Sequence, residues 1–305
     1  MTWRSLLISK GGKLSLHQQQ MLIQQEGNEF TVPLEDIAIV VVESRETVIT
    51  FPLLSAFGLY GITLLSCDEQ FLPCGQWLPF NQYYRQLKTL KLQLETSLPL
   101  KKQLWQRIVQ QKIRNQAKVL SLCQLQEKSE RLLQLANLVK SGDKDNLEAQ
   151  SAVIYFSGLF GTHFRRKEED NAINIHLNYA YSVMRSAVAR SLVLYGWLPQ
   201  LGLFHHSELN AFNLADDFIE PFRPLVDLLV WNLLEKGLLT TNLNPLSKQQ
   251  LIKILHHQLR FNQEKVSVLT AIDKTIASLQ IALIQKNATS LRLPEIDILQ
   301  EYQYE

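Results

Sequence analysis

From His205 to Pro224 the chain reads H-H-S-E-L-N-A-F-N-L-A-D-D-F-I-E-P-F-R-P, which sets imidazoles ahead of a group of carboxylates, and a further glutamate, Glu148, stands far upstream. Asp217 and Glu220 lie three apart and, on a helix, project from one face about one turn apart. One face then offers two oxygen ligands. Magnesium and manganese favour carboxylate, water and phosphate oxygens, and manganese accepts imidazole more readily, so His, Asp and Glu together suit those ions better than zinc. Asp216 pairs with Glu220 at i,i+4 and competes with Asp217 as the inward residue; the spacing leaves both open. The plainer alternative is a helix that carries Asp216 or Asp217 as a first-turn charge, with Glu220 in solvent before Pro221.

The elements that must position these groups fall into two halves. Up to about Pro79 the chain shows short strand-like runs at Leu6–Ser9, Met21–Gln24, Ile37–Val42, Thr47–Thr50 and Ile62–Ser66, broken by Gly11-Gly12, Gly27-Asn28 and Pro33. A short helix is expected over Phe51–Leu59. From about Asn81 onward Leu, Gln, Lys and Ala dominate with few Gly or Pro, and the periodicity is helical. The fold class is therefore α+β: a β-rich domain over 1–79, with the boundary near Leu78–Asn81, followed by a larger all-α domain over 80–305.

Several spaced strings resemble one family. D-F-I-E-P-F-R-P at Asp217–Pro224, the Gly202-x-x-His205 context before it, V-P-L-E-D-I-A at Val32–Ala38, C-D-E-Q-F-L-P from Cys67, K-I-R-N-Q-A at Lys112–Ala117, L-E-A-Q-S-A-V-I-Y-F at Leu147–Phe156 and L-N-Y-A-Y-S-V-M-R at Leu177–Arg185 are similar to the CRISPR adaptation integrases, CRISPR-associated protein one. They match the subset that accompanies large single-chain effector nucleases. The resemblance implies Glu148, His205 and Asp217 as ligands of Mg2+ or Mn2+, with His205 at the family's usual spacing rather than His206, and Glu220 as a supporting carboxylate. It implies an amino-terminal β domain and a helical catalytic domain, in agreement with the periodicity. It also implies a metal-dependent endonuclease and integrase that inserts short DNA fragments at CRISPR repeats by transesterification. The implied partners are double-stranded DNA, as fragment and repeat, a second copy of the chain through the β domain, CRISPR-associated protein two in a heterohexamer, and the effector nuclease. Two other readings compete: a structure-specific metal-dependent nuclease without integration, and a non-catalytic DNA-binding scaffold.

A net charge of +2 is too small to announce nucleic-acid binding, so DNA contact must come from local asymmetry. Between Glu95 and Glu127 there is no acidic residue, whereas Lys101, Lys102, Arg107, Lys112, Arg114 and Lys118 are basic. At about 100° per residue Val109, Ile113, Ala117 and Leu120 share one arc while Arg107, Arg114 and Lys118 gather on another. With Lys112 they are expected to touch DNA phosphates without reading bases. Arg165, Arg166 and Lys167 either clamp a phosphate near the metal or pair with the acids of Glu168–Asp170. Arg223, locked between prolines in P-F-R-P, suits a positioning task or a DNA contact. Tyr155, two helical turns after Glu148, either lines the site or belongs to the core; Asn178 and Tyr179 are expected to pack against the site.

Other chemistry finds little support. His163, His176, His256 and His257 lack i,i+4 ligand spacing, and no phosphate-loop, dinucleotide-binding or esterase motif is present. Cys67, Cys74 and Cys123 are odd in number without C-x-x-C spacing, and are expected as buried reduced thiols. With 46% apolar and 20% charged residues the chain has an ordinary globular balance. No apolar run approaches the roughly 20 residues of a membrane span, so no membrane role and a cytoplasmic location are expected.

Overall fold

The computed structural model describes residues 4–69, 71–79, 83, 85–168, 170–241 and 243–303. Phe80 and Asn81, within the expected boundary, lie outside them. The amino-terminal part builds two four-stranded sheets. β1 (Arg4–Ile8), β2 (Gly12–His17), β3 (Gln20–Gln25), β4 (Asn28–Pro33), β5 (Ile37–Val42) and β6 (Thr47–Ile49) precede α1 (Phe51–Tyr60), and β7 (Thr63–Cys67) and β8 (Pro73–Trp77) follow it. One sheet has the order β1-β5-β7-β8, parallel except for the β7–β8 pair; the other has the order β4-β3-β2-β6.

The unbroken apolar run I-A-I-V-V-V of β5 is buried on both faces, as a central parallel strand requires. Ile37 and Val40 join Leu14, Met21, Leu53 and Phe57 in a core between the sheets and α1, whereas Ala38, Ile39 and Val41 face the helical part. Gly61, at φ 67°, ends α1 in the left-handed conformation and turns the chain into β7. Three amino-terminal strands escaped periodicity: β2, β4 and β8. The turn joining β2 to β3 places Gln18 and Gln19 at positive φ, a hairpin conformation that Asn-Gly or Asp-Gly would have announced.

The helical part runs α2 (Gln86–Leu94), α3 (Leu98–Leu122), α4 (Gln126–Leu138), α5 (Leu147–Leu159), α6 (Ala172–Leu194), α7 (Asn213–Ile219), α8 (Arg223–Glu235), α9 (Pro245–Lys253) and α10 (Val268–Ile284). An antiparallel hairpin, β9 (Gln258–Phe261) with β10 (Glu264–Ser267), is added to what periodicity read as all helix. The long helix α6 is central, with Tyr179, Ala180, Val183, Ala187 and Val188 fully buried or nearly so. A buried ion pair joins the two parts: Lys248 Nζ lies 3.1 Å from Glu43 Oε1, to which Tyr179 donates its hydroxyl at 3.0 Å. Tyr179 thus faces the amino-terminal sheet, not the carboxylate site. Among the described residues no helix is long and apolar enough to cross a membrane. The three cysteines are free thiols; Cys74 is exposed, against expectation, and burial pushes Cys67 up to about 12 and Cys123 up to about 11.

Candidate active site

Four elements bring the site together. Asp143 accepts from the backbone N–H groups of Leu147 and Glu148 at 2.9 and 3.0 Å, which caps α5 and fixes Glu148 in its first turn. Glu220 stands in the turn between α7 and α8, and Asn115 of α3 holds that turn by donating to the Pro221 carbonyl at 2.7 Å. The same amide donates to the Pro294 carbonyl at 3.0 Å and accepts from Ile296 N–H, so the carboxy-terminal segment is tied to the site.

Lys112 of α3 bridges the two glutamates. Its ammonium lies 2.5 Å from Glu148 Oε1 and 2.5 Å from Glu220 Oε2, and Arg223 Nε lies 2.8 Å from the other Glu220 oxygen. Burial pushes the Glu220 carboxyl up, but Arg223 and Lys112 outweigh it and hold it below the usual range. Burial likewise opposes the charge on Lys112, and the glutamates overcome it and raise its pKa. The charges of the four groups cancel. Lys112 was expected to touch DNA phosphates; it is instead on the buried side of α3, where its two carboxylate partners keep it from solvent.

Asp217 is fully buried. One of its oxygens accepts from Leu203 and Phe204 N–H at 2.5 and 3.2 Å; the other accepts from His205 N–H at 3.1 Å and meets His205 Nδ1 at 2.8 Å. That departs from the expectation of Asp217 as an open ligand, because its lone pairs are already taken by the loop. Gly202 makes the loop's approach possible: a Cβ there would stand 2.9 Å from Asp217 Oδ2 and 2.2 Å from the His205 carbonyl oxygen. The hydrogen bond to Asp217 raises the His205 pKa against the opposing effect of burial. With Nδ1 on Asp217, the Nε2 atom is left as the free ring nitrogen. His205 also stands edge-on to Trp105 and Phe204, whose rings stack at 4.3 Å. His206 is exposed and its Nδ1 turns to the Phe204 carbonyl.

The remaining expected residues scatter. Arg114 and Lys118 are exposed on α3, whereas Arg107 is half-buried and donates to the Leu291 carbonyl at 3.2 Å. Arg165 is exposed and folds onto its own loop carbonyls of Thr162 and Phe164. Arg166 donates to Asn174 and Asn178 at 2.9 and 2.7 Å, so Asn178 serves an arginine beside the site. Tyr155 is buried in the core. Tyr181 donates its hydroxyl to the buried Asp227, whose carboxyl is raised by burial to about 6. His176, His256 and His257 have pKa values lowered by burial, and His163 is exposed. Sequence reasoning missed the bridging role of Lys112, although it falls at about −60° on a wheel centred on Val109, between buried Ile108 and Gln116. It also missed Asp143 and Asn115.

The family model described as CRISPR associated protein Cas1 matches residues 6–260. The chain is 61% identical, over all of both chains, to the CRISPR-associated endonuclease Cas1 of Neisseria meningitidis serogroup C (strain 8013). It is 27% identical to a CRISPR-associated endonuclease Cas1 of Saccharolobus solfataricus over 77% of this chain and 76% of that one. Among solved structures, a CAS1 protein from Thermotoga maritima superposes with a TM-score of 0.76 at 18% identity, covering 92% of this chain and 97% of that one. A casposase bound to integration product gives 0.77 at 17% identity, covering 99% and 95%. The matched span takes in both sheets and every element that carries Glu148, His205, Asp217 and Glu220, and the chain belongs to the CRISPR-associated Cas1 family.

Proposed function

We propose that the protein is a CRISPR adaptation integrase: a DNA endonuclease and strand-transfer enzyme that inserts short DNA fragments at CRISPR repeats. The observation that carries the chemistry is the convergence of Glu148 and Glu220 on one cation, the Lys112 ammonium, beside an imidazole whose Nδ1 is held by Asp217. Two carboxylates that already share a positive charge form the donor set a hard dication needs, so the residues fit Mg2+ or Mn2+. We assign the holding of the ion to Glu148, Glu220 and His205 Nε2, and give Asp217 the task of orienting His205. Among the described residues no three acidic, His or Cys side chains stand together at metal-ligand spacing; Lys112 bridges the two glutamates, and Asp217 is turned to the loop. A bound dication lowers the pKa of an attacking hydroxyl and offsets charge on the phosphoryl group.

The reaction is a transesterification. The 3′-oxygen of the fragment forms a bond to a repeat phosphorus, the bond from that phosphorus to the repeat's own 3′-oxygen breaks, and the leaving oxygen takes a proton. One phosphodiester replaces another, so no nucleotide triphosphate is needed. Lys112 and Arg223 supply fixed positive charge around Glu220, and Asp217 holds the His205 ring against Trp105. Arg114, Lys118 and Arg165 are exposed and suit phosphate contact. Domains over 1–79 and 80–305, a homodimer through the amino-terminal part, and assembly with double-stranded DNA, CRISPR-associated protein two and the effector nuclease complete the reading. Exposed Phe30, Val48, Phe51 and Leu59 on the amino-terminal elements support that dimer surface.

The test is joining of a labelled short duplex to a supercoiled plasmid carrying a repeat, with partner protein and manganese, comparing 3′-hydroxyl with 3′-dideoxy ends. Joined product from hydroxyl ends alone is expected. Equal nicking with both ends and no joining makes water the nucleophile and leaves a nuclease.

A further inference from the structure

A cavity of about 230 Å3 opens between α6 and the α7–α8 turn, and the side chains of Arg166, Arg185 and Arg223 line it. Each is held in place. Arg166 is gripped by the Asn174 and Asn178 side-chain oxygens at 2.9 and 2.7 Å. Arg223 is paired with Glu220 at 2.8 Å, and Arg185 stands 4.0 Å from Asp216 and over the Phe212 ring, 5.0 Å from its centroid. The Tyr181 ring lies under two of them, with the Arg166 and Arg223 guanidinium carbons 5.3 and 4.7 Å from its centroid. Its hydroxyl is anchored on buried Asp227, so the ring cannot turn freely.

Three guanidiniums therefore face one cavity in which, among the described residues, Asp216 is the single acidic lining residue, and Asn210 already donates to that carboxylate at 2.7 Å. Preplaced cations lose little side-chain freedom when an anion arrives. Planar guanidiniums match the paired oxygens of a phosphate better than ammonium groups do. The cup also lies against the carboxylate site. Arg223 touches Glu220 on one side and lines the cavity on the other, so one side chain separates an anion held here from the carboxylate site.

We propose that this cup binds a backbone phosphate of the DNA strand beside the reacting phosphodiester, and that Arg166 and Arg185 are positioning residues acting through that phosphate. The assignment rests on the strand-transfer reading above and deepens it. Arg223 is common to the cup and the carboxylate site, which makes Arg185 the cleaner residue to vary.

The experiment is fluorescence anisotropy with a labelled branched duplex that mimics a half-joined product, unmodified or carrying one uncharged methylphosphonate stepped along the strand that flanks the junction. With the wild-type protein, one position or two adjacent ones are expected to weaken binding about tenfold, the size of a charge-assisted contact. Arg185→Gln should weaken binding of the unmodified duplex by a similar factor and lower the salt slope by about one. On the duplex neutralised at the sensitive position, Arg185→Gln should cost nothing more. A flat scan with the wild-type protein overturns the proposal, as does a multiplicative loss when variant and methylphosphonate are combined. Arg166→Gln provides the same cycle should Arg185→Gln melt early, and the wild-type scan needs no variant at all. Failure of the strand-transfer reading shows separately, as wild-type protein that joins no hydroxyl-ended DNA.

Discussion

Lys112 Nζ lies 2.5 Å from Glu148 Oε1 and 2.5 Å from Glu220 Oε2, so one ammonium holds together two carboxylates that come from sequence positions far apart. Removing it leaves two negative charges facing each other in a buried place. Lys112→Met is expected to destabilise the metal-free protein by about 3 kcal/mol, the scale for breaking a buried pair. A dication can replace the lost charge, so manganese should raise the melting temperature of the variant more than that of the wild type. Thermal melts with and without manganese check this; equal shifts in both proteins would show that Lys112 and the ion do not share a place.

Glu220 and Asp217 separate by their surroundings. Glu220→Gln removes charge from the group that faces Lys112, and strand joining is expected to fall below detection at every manganese concentration. Asp217→Asn keeps the shape but replaces one acceptor with a donor among three backbone N–H groups and the His205 ring. Its loss should be about 10- to 100-fold, the range for a group that orients a ligand, and partly recovered by excess manganese. Manganese titrations of joining decide between them. A silent Glu220→Gln beside a dead Asp217→Asn would return the ligand role to Asp217.

His205 and His206 are neighbours in sequence with different duties. His205 Nδ1 is committed to Asp217, whereas His206 is exposed and turned to a carbonyl of its own loop. His205→Ala should abolish joining and His206→Ala should stay within about threefold of wild type, the small effect expected of a surface change. The raised His205 pKa also sets a pH limit. Protonated imidazole cannot serve as a ligand, so activity is lost as pH falls through the His205 pKa, and weakening the Asp217 hydrogen bond should move that acid limb to lower pH. A pH–rate profile of Asp217→Asn with an unmoved limb would count against the pairing.

The division of the fold was legible where burial is one-sided or complete, and lost where it is not. The run Ile37–Val42 announces a strand, which the structure buries on both faces, and Phe51–Leu59 announces a short helix, which the structure carries to Tyr60 and ends at Gly61. The hairpin β9–β10 hid because its turn residues Asn262 and Gln263 take positive φ without a glycine, in a region otherwise helical. In the site, residue types were readable and their directions were not. Which of Asp217 and Glu220 is bound up by the backbone depends on the loop from Leu203 to His205, whose N–H groups claim Asp217, and no spacing rule encodes that. Lys112 was readable as basic, but its two partners lie on other elements.

Asp227 makes the stability of the fold depend on pH. It is buried beneath Tyr181, and burial raises its carboxyl to about 6 from an ordinary value near 3.8. A carboxyl whose pKa is raised on folding binds its proton more tightly in the folded state, so the folded protein holds more protons than the unfolded chain between about pH 4 and 6. From this group alone, stability falls as pH rises through that window and levels off above it, with a total on the order of 2–3 kcal/mol. Asp227→Asn keeps an oxygen for the Tyr181 hydroxyl and removes the titration. Its denaturant-derived stability, measured from pH 4 to 7, should therefore lack the decline that the wild type shows from this source. Parallel curves for the two proteins across that window would mean that Asp227 is ionised in the fold as readily as in the unfolded chain.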